Sequence, residues 1–282
     1  MRLTMLGTGN ARVTECYQTC FVLEDGPRRL LVDGGGGAGL MAQLAHAGID
    51  WTGLRKVFVT HAHPDHLFGI VWLVRVLAQA MSHGALDATV SVYGHEEVLT
   101  TLRAMALLTM SPSEAACLDH TIMLEPVRDG ETRELMGRPT EFFDILSTNV
   151  RQFGFCMTMP HGGRLVCCGD EPLSPAGEPY ARGCDWLLHE AFCLRAEADR
   201  FRPYEKHHST VADACETAEC LGVRNLVLYH TEDTHLPDRR RLYEAEGREH
   251  YSGGLWVPDD LDSIELCEGA CGGRAIPGKV AR

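Results

Sequence analysis

His61-Ala62-His63-Pro64-Asp65-His66 follows directly on Lys56-Val57-Phe58-Val59-Thr60, an apolar, β-branched run that reads as a strand. A strand end followed by a tight loop can throw His61 and His63 to one side. Pro64 restricts that loop and favours the first position of a helix, which puts Asp65 and His66 in its first turn. Four ligand-capable side chains thereby converge within a short segment. Imidazole nitrogen and carboxylate oxygen suit Zn²⁺, Mn²⁺ or Fe²⁺, and a mixed N/O set does not choose among them. Histidines that merely cluster, or cap a helix, do not account for three with an aspartate at this spacing.

So short a loop cannot complete the coordination shell alone, and two distant residues share its placement. Asp170 closes Leu165-Val166-Cys167-Cys168-Gly169-Asp170, and His230 closes Leu226-Val227-Leu228-Tyr229-His230. Each stands just past an apolar strand. Either one alone could be a turn or capping residue.

Outward from the cluster, apolar runs alternate with helical patterns. Strands are expected at Leu3–Leu6, Cys20–Leu23, Leu30–Val32, Thr89–Tyr93, Phe153–Met159, Arg164–Cys168, Trp186–His189 and Asn225–Tyr229, with antiparallel strands within Glu125–Ser147. Helices are expected at Leu40–Ala47, Leu67–Met81, Glu96–Leu108 and Val211–Leu221. Strands outnumber helices, but helices fall in both halves of the chain. This is the pattern of an α/β fold with two packed sheets and helices outside, a four-layer αββα sandwich. No repeat or linker interrupts the chain, so residues 1–267 are expected to form a single domain. The Gly-rich stretch 268–282 is expected to be a poorly ordered tail.

The 282 residues are 45% hydrophobic and 23% charged, an ordinary globular composition. No window approaches the roughly 18 apolar residues of a membrane span, and the opening residues are too short for a signal sequence. A soluble, cytoplasmic protein is expected, with no membrane partner. The formal charge of −13 disfavours broad binding to nucleic acid, which depends on basic residues neutralising phosphates. It does not exclude a small anionic substrate, because a bound dication reverses the local field. The 12 cysteines are scattered through apolar runs without a Cys-x-x-Cys, and read as buried free thiols. Asp259-Asp260-Leu261-Asp262 reads as a solvated acidic face.

In order and spacing, His61–His66, Asp170 and His230 resemble the metal motifs of metallo-β-lactamase-fold hydrolases. Leu6-Gly7-Thr8-Gly9, Leu188-His189-Glu190-Ala191-Phe192 and His207-His208-Ser209-Thr210 resemble the ribonuclease Z branch in particular. The resemblance implies Zn²⁺, as one or two ions, with Mn²⁺ or Fe²⁺ also acceptable. One ion would take His61 and His63, the other Asp65, His66 and His230, with Asp170 bridging. It further implies that Asp65 serves catalysis, that His208 protonates the leaving oxygen, that Glu190 orients His208, and that Asp33 supports the ligands from behind. A homodimer is implied by resemblance alone.

Two departures shape the expected function. The family supplies a further histidine shortly before a Gly-aromatic pair such as Gly154-Phe155; here Asp144–Val150 contains none, and Leu146 or Thr148 stands near that position. His120 and His161 are the remaining candidates to replace it. Ribonuclease Z enzymes that process tRNA carry a long arm, often between the segments matching Gly154 and Asp170, and only 15 residues lie between those two here. A metal-dependent phosphodiesterase acting on a small phosphodiester through a metal-bound hydroxide is therefore the expected function. A hydrolase of a lactone, thioester or sulfate ester, and a non-catalytic sensor of metal or metabolite, are the alternatives.

Overall fold

The computed structural model describes residues 1–268 of the chain; the expected tail lies, but for Glu268, outside the described residues. Fourteen strands form two seven-stranded sheets. The first holds β1 (Arg2–Gly7), β2 (Cys20–Asp25), β3 (Arg28–Val32), β4 (Lys56–Phe58), β5 (Val90–Gly94) and β6 (Ile122–Pro126). The second holds β7 (Thr132–Leu135), β8 (Arg138–Asp144), β9 (Phe153–Thr158), β10 (Arg164–Cys167), β11 (Trp186–Glu190), β12 (Asn225–Tyr229) and β13 (Gly254–Trp256). The chain then returns to the first sheet, where β14 (Ser263–Glu265) pairs antiparallel with β1. Both sheets follow one scheme. An antiparallel meander (β14-β1-β2-β3 and β7-β8-β9-β10) runs into a parallel half (β3-β4-β5-β6 and β10-β11-β12-β13).

The pleat sorts side chains into layers. Along β1 to β4, Leu3, Met5, Phe21, Leu23, Leu30, Val32 and Phe58 point into the core between the sheets. Their neighbours Leu6, Cys20, Val22, Leu31 and Val57 face helices α1 (Gly39–His46), α2 (Pro64–Ser82) and α3 (Glu96–Thr109). In β12, Val227 and Tyr229 point inward while Leu226 and Leu228 pack toward α4 (Val211–Leu221) and α5 (Arg239–His250). Both strand faces are thus apolar, as expected of strands covered on both sides. The result is the four-layer α/β sandwich read from the sequence.

Strand β6, which pairs parallel with β5, and the one-turn helices Pro112–Ala115, Glu178–Ala181 and Ala198–Phe201 were not expected from the sequence, and neither were β13, β14 and α5, for which the reasons are local. Strands β13 and β14 span only three residues each, too few for periodicity to register. Helix α5 is charge-dense and buries only Arg239, Tyr243 and Gly247, so it presents no apolar stripe. Its anchor is ionic, and this corrects the reading of Asp259–Asp262 as a solvated face. Arg239, fully buried, donates to Asp259 (2.9 Å), and Arg240 donates to Asp259 (2.6 Å) and Asp262. Asp260 accepts from the Thr8 amide (3.0 Å) and hydroxyl (2.8 Å) and from the Tyr17 amide (2.6 Å). The acidic stretch therefore ties α5 and the β1–β2 connection together. The reading of the cysteines as buried free thiols holds for seven; Cys16 and Cys156 are free but half-buried, Cys220 is free and exposed, and Cys267 is disulfide-bonded. No described helix is long and apolar enough to cross a membrane.

The glycine run after β3 has a packing purpose. The Gly34 amide donates to the His66 carbonyl (2.8 Å) and the Gly69 amide to the Gly35 carbonyl (2.9 Å), drawing the start of α2 onto the loop. A Cβ at Gly69 would stand 1.8 Å from the Gly34 carbonyl oxygen. In an open helix Gly→Ala stabilises by about 1 kcal/mol. At Gly69 the backbones must separate instead, so Gly69→Ala should destabilise by about 1–3 kcal/mol. Thermal unfolding measures the sign, and a Tm equal to or above that of the wild type would refute the close-packing account.

Candidate metal centre

The parallel halves of both sheets end at one edge, and the side chains singled out from the sequence follow those strand ends. Asp33 follows β3, the histidine cluster follows β4, and Asp170, Glu190 and His230 follow or close β10, β11 and β12. His63 caps α2 with extended backbone, Pro64 opens the helix, and Asp65 and His66 occupy its first turn as expected. Asp33 and His230 hold left-handed backbone (φ 57° and 59°), an uncommon conformation whose cost the surrounding packing must cover.

His61, His66, Asp170 and His230 are nearly or fully buried, and Asp65 is 8% exposed. Asp170 Oδ2 stands 3.5 Å from His61 Nε2, 3.4 Å from His66 Nε2 and 3.5 Å from His230 Nε2. Asp65 Oδ2 stands 3.4 Å from His66 Nε2 and 3.6 Å from His230 Nε2. Two groups of potential ligand atoms result, His61–His66–Asp170 and Asp65–His66–His230. His63 falls outside both, but its Nδ1 is 2.9 Å from His61 Nε2.

These separations test the fit of a metal. Four donors at 2.0–2.2 Å around a tetrahedral ion lie about 3.3–3.6 Å from one another. That is the spacing found, and it is too long for hydrogen bonds. Consistently, His66 Nε2, His230 Nε2 and Asp170 Oδ1 are buried with no hydrogen-bond partner. Groups left in that state are costly unless a cation fills the space between them. The donor set fits a dication.

The outer hydrogen bonds fix which nitrogens face inward. His66 Nδ1 donates to Asp33 Oδ2 (2.7 Å), whose carboxylate also accepts from the Thr60 amide and hydroxyl (both 2.8 Å). With Nδ1 so engaged, Nε2 of His66 is the nitrogen turned toward the cluster, the usual arrangement behind a metal-ligating histidine. Thr60 Oγ1 also contacts His61 Nδ1 (2.9 Å). Burial pushes the His61 imidazole well below its ordinary range. His66 is driven the other way: against its burial, Asp65 and Asp33 hold it well above. Asp65 and Asp170 stay ionised in spite of burial because imidazoles surround them.

His208 and Glu190 lie beside this cluster. His208 Nδ1 donates to the Asp170 carbonyl (2.8 Å), and its ring stacks on Phe192 at 5.0 Å between centroids. Glu190 accepts from the Ser209 amide (2.6 Å) through Oε1, and its other oxygen is 3.6 Å from His208 Nδ1. Burial pushes Glu190 well up and His208 down to about 4.

A cleft of about 580 Å³ opens over His63, Asp65, Asp170, His208 and His230. Its lining also carries Arg12, Lys206, His207, Asn149, Gln152 and Glu171, none of which the sequence singled out as a binding group, and Thr148, which it weighed only for the absent histidine. Apart from His207, no motif marks them; they arrive from four loops. Leu146, one of the two positions weighed for the absent histidine, is 65% exposed and does not line the cleft, whereas Thr148 does. His120 and His161 precede β6 and β10, at the edge of the sheets away from the cluster.

Comparison with known proteins agrees with the fold and its branch. Ribonuclease Z of Pyrobaculum neutrophilum is 29% identical over 295 residues, which cover 94% of this chain and 98% of the relative. The metallo-β-lactamase-fold protein YhfI of Bacillus subtilis superposes with a TM-score of 0.75 at 15% identity, covering 93% of this chain and 98% of its own. The short form of human tRNase Z superposes with a TM-score of 0.70 at 21% identity, covering 95% and 100%. The fold is that of the metallo-β-lactamase superfamily, in its ribonuclease Z-like branch. Residues 1–247 match the family described as Anti-Pycsar protein Apyc1, and the chain belongs to that family.

Proposed function

We propose that the chain is a metal-dependent phosphodiesterase acting on a small phosphodiester. The observation that carries this reading is His208, held over the metal donors by the Asp170 carbonyl through Nδ1, which leaves Nε2 for the cleft. A group so placed can give a proton to a leaving oxygen, a service worth about 10²–10⁴-fold. The cationic lining of Arg12 and Lys206 suits an anionic substrate, and 580 Å³ is the size of a small-molecule site. The connection between β9 and β10 is a tight hairpin turn, too short to grip tRNA.

Asp65, His66 and His230 would hold the firmer ion, and His61 and His63 the weaker, with Asp170 shared; Zn²⁺ is the first choice, Mn²⁺ and Fe²⁺ the others. Such ions supply a nucleophilic water at neutral pH and neutralise charge on the phosphoryl oxygens. Thr148, near the position of the family's further histidine, lines the cleft and offers only a hydroxyl, a weaker donor than imidazole. Asp33 sets the direction of His66, and Glu190, whose carboxyl is pushed well up by burial, stands beside His208 Nδ1 and orients the ring.

The low pKa of His208 has a consequence for pH dependence. In the free protein burial keeps it neutral at pH 7; a phosphodiester anion alongside favours the imidazolium and raises its pKa. Protonated His208 is lost as pH rises through its pKa. The alkaline decline of kcat, which reports the complex, should therefore lie at higher pH than that of kcat/KM. In His208→Gln both declines should vanish, with a loss of about 10²-fold or more for alkyl phosphodiesters. Bis(p-nitrophenyl) phosphate, whose leaving group needs no proton, should lose far less. Equal losses on the two substrates would remove the general-acid role, and faster turnover of lactones, thioesters or sulfate esters would displace the phosphodiesterase reading.

Metal content separates the two ion sites. His63→Ala should lower the bound metal, measured by elemental analysis, while the ion at Asp65, His66 and His230 remains. Asp65→Asn should release the firmer ion. Unchanged content in both variants would contradict the ligand assignment.

A further inference from the structure

Beyond the centre just described, Glu197, Glu232 and His235 place three potential ligand atoms within 4.8 Å of one another. They come from two chain segments. Glu197 lies in the short helical turns after β11, and Glu232 and His235 in the loop that follows His230. We propose that these three residues form a separate divalent-cation site that pins the segment carrying Phe192 and His208 to the loop carrying His230.

The decisive residue is Glu232. It is 4% exposed, and its Oε1 is buried with no hydrogen-bond partner. Its other oxygen accepts only from the Thr234 amide (2.5 Å). Among the described residues no lysine or arginine forms an ion pair with it, although a buried carboxylate left without a counter-charge is costly. His235 and Arg200 donate instead to Glu197, from His235 Nε2 (3.0 and 3.1 Å) and from Arg200 (3.0 Å). An ion between Glu232 and His235 supplies the missing charge. It takes the place of the hydrogen that His235 Nε2 gives to Glu197, which moves to Nδ1 of the same neutral ring, so that no net proton is released.

Donor chemistry selects the ion. Two carboxylates and an imidazole suit Zn²⁺, Mn²⁺ or Co²⁺, with water completing the shell, and suit Ca²⁺ poorly. Entry is open, since the side chains of Glu197 and His235 are 20% and 33% exposed. The tether has a clear reach. The Glu232 amide already donates to the Phe192 carbonyl (2.8 Å), and Phe192 is the face on which His208 stacks.

The test uses the full chain, stripped with a chelator and titrated with Co²⁺, in the wild type and in Glu232→Gln and His235→Gln. Bound cobalt is measured by elemental analysis and by its visible absorption. The wild type should bind one equivalent more per chain than either variant. That added equivalent should persist in Asp170→Asn, which damages only the other centre. Co²⁺ should also slow tryptic cleavage after the exposed Arg200 several-fold in the wild type, with that protection reduced in His235→Gln. Equal cobalt content in the wild type and both variants would overturn the proposal and leave Glu197 and His235 as an ion pair only. Loss of the added equivalent in Asp170→Asn but not in Glu232→Gln would overturn it equally.

Discussion

Two buried carboxylates, Asp65 and Asp170, face three buried imidazoles across gaps too wide for hydrogen bonds. Left without a cation, this arrangement would cost several kcal/mol of desolvation per ion. Much of the structure can be understood as what is needed to hold it. Asp33 and Thr60 keep His66 and His61 from rotating away, and the Gly34–Gly69 contact keeps α2 close enough for Asp65 and His66 to reach inward. The left-handed backbone at Asp33 and His230 is a local cost borne at the points where strands turn into ligands.

The sandwich makes convergence from distant segments inexpensive. A parallel strand delivers its last residue to the same edge as its neighbours, so β3, β4, β10, β11 and β12 each place a functional side chain without a dedicated loop. Ligand sites beyond the carboxyl ends of parallel strands are the general rule for such sheets. Here two sheets contribute, and the shared scheme of meander followed by parallel half brings both carboxyl edges to one cleft. The antiparallel halves carry less chemistry; they fill the core through residues such as Phe21, Phe142 and Phe155.

What the sequence made legible follows from this economy. An apolar strand ending in His or Asp is a local pattern, and so His61–His66, Asp170 and His230 could be found without a structure. The cleft walls could not. Thr148, Asn149 and Gln152 come from a loop with no periodicity, and Arg12 from a turn whose position depends on Asp233 and Asp260 far along the chain. Helix α5 was hidden for a related reason, because its arginines are held by Asp259 and Asp262 rather than by an apolar stripe. Acidic residues in sequence look solvated; only their partners show otherwise.

That ionic seam bears on the cleft as well as on stability. Asp260 fixes Thr8 and the Tyr17 amide, Arg239 donates to Thr8 (3.0 Å) and Thr231 (2.7 Å), and Asn10 donates to the Thr231 carbonyl (3.0 Å). Thr231 follows His230 directly, so the N-terminal loop bearing Arg12 is built onto the same few residues as a potential metal ligand. A charge network spanning Thr8 to Asp262 thereby ties the loop of a cleft-lining cation, Arg12, to the potential metal donors. Were the contact made by apolar packing alone, the loop could slide along α5; directional bonds to buried groups give it one register. The acidic stretch that looked least informative in the sequence is, in the folded chain, part of how the cleft keeps its width.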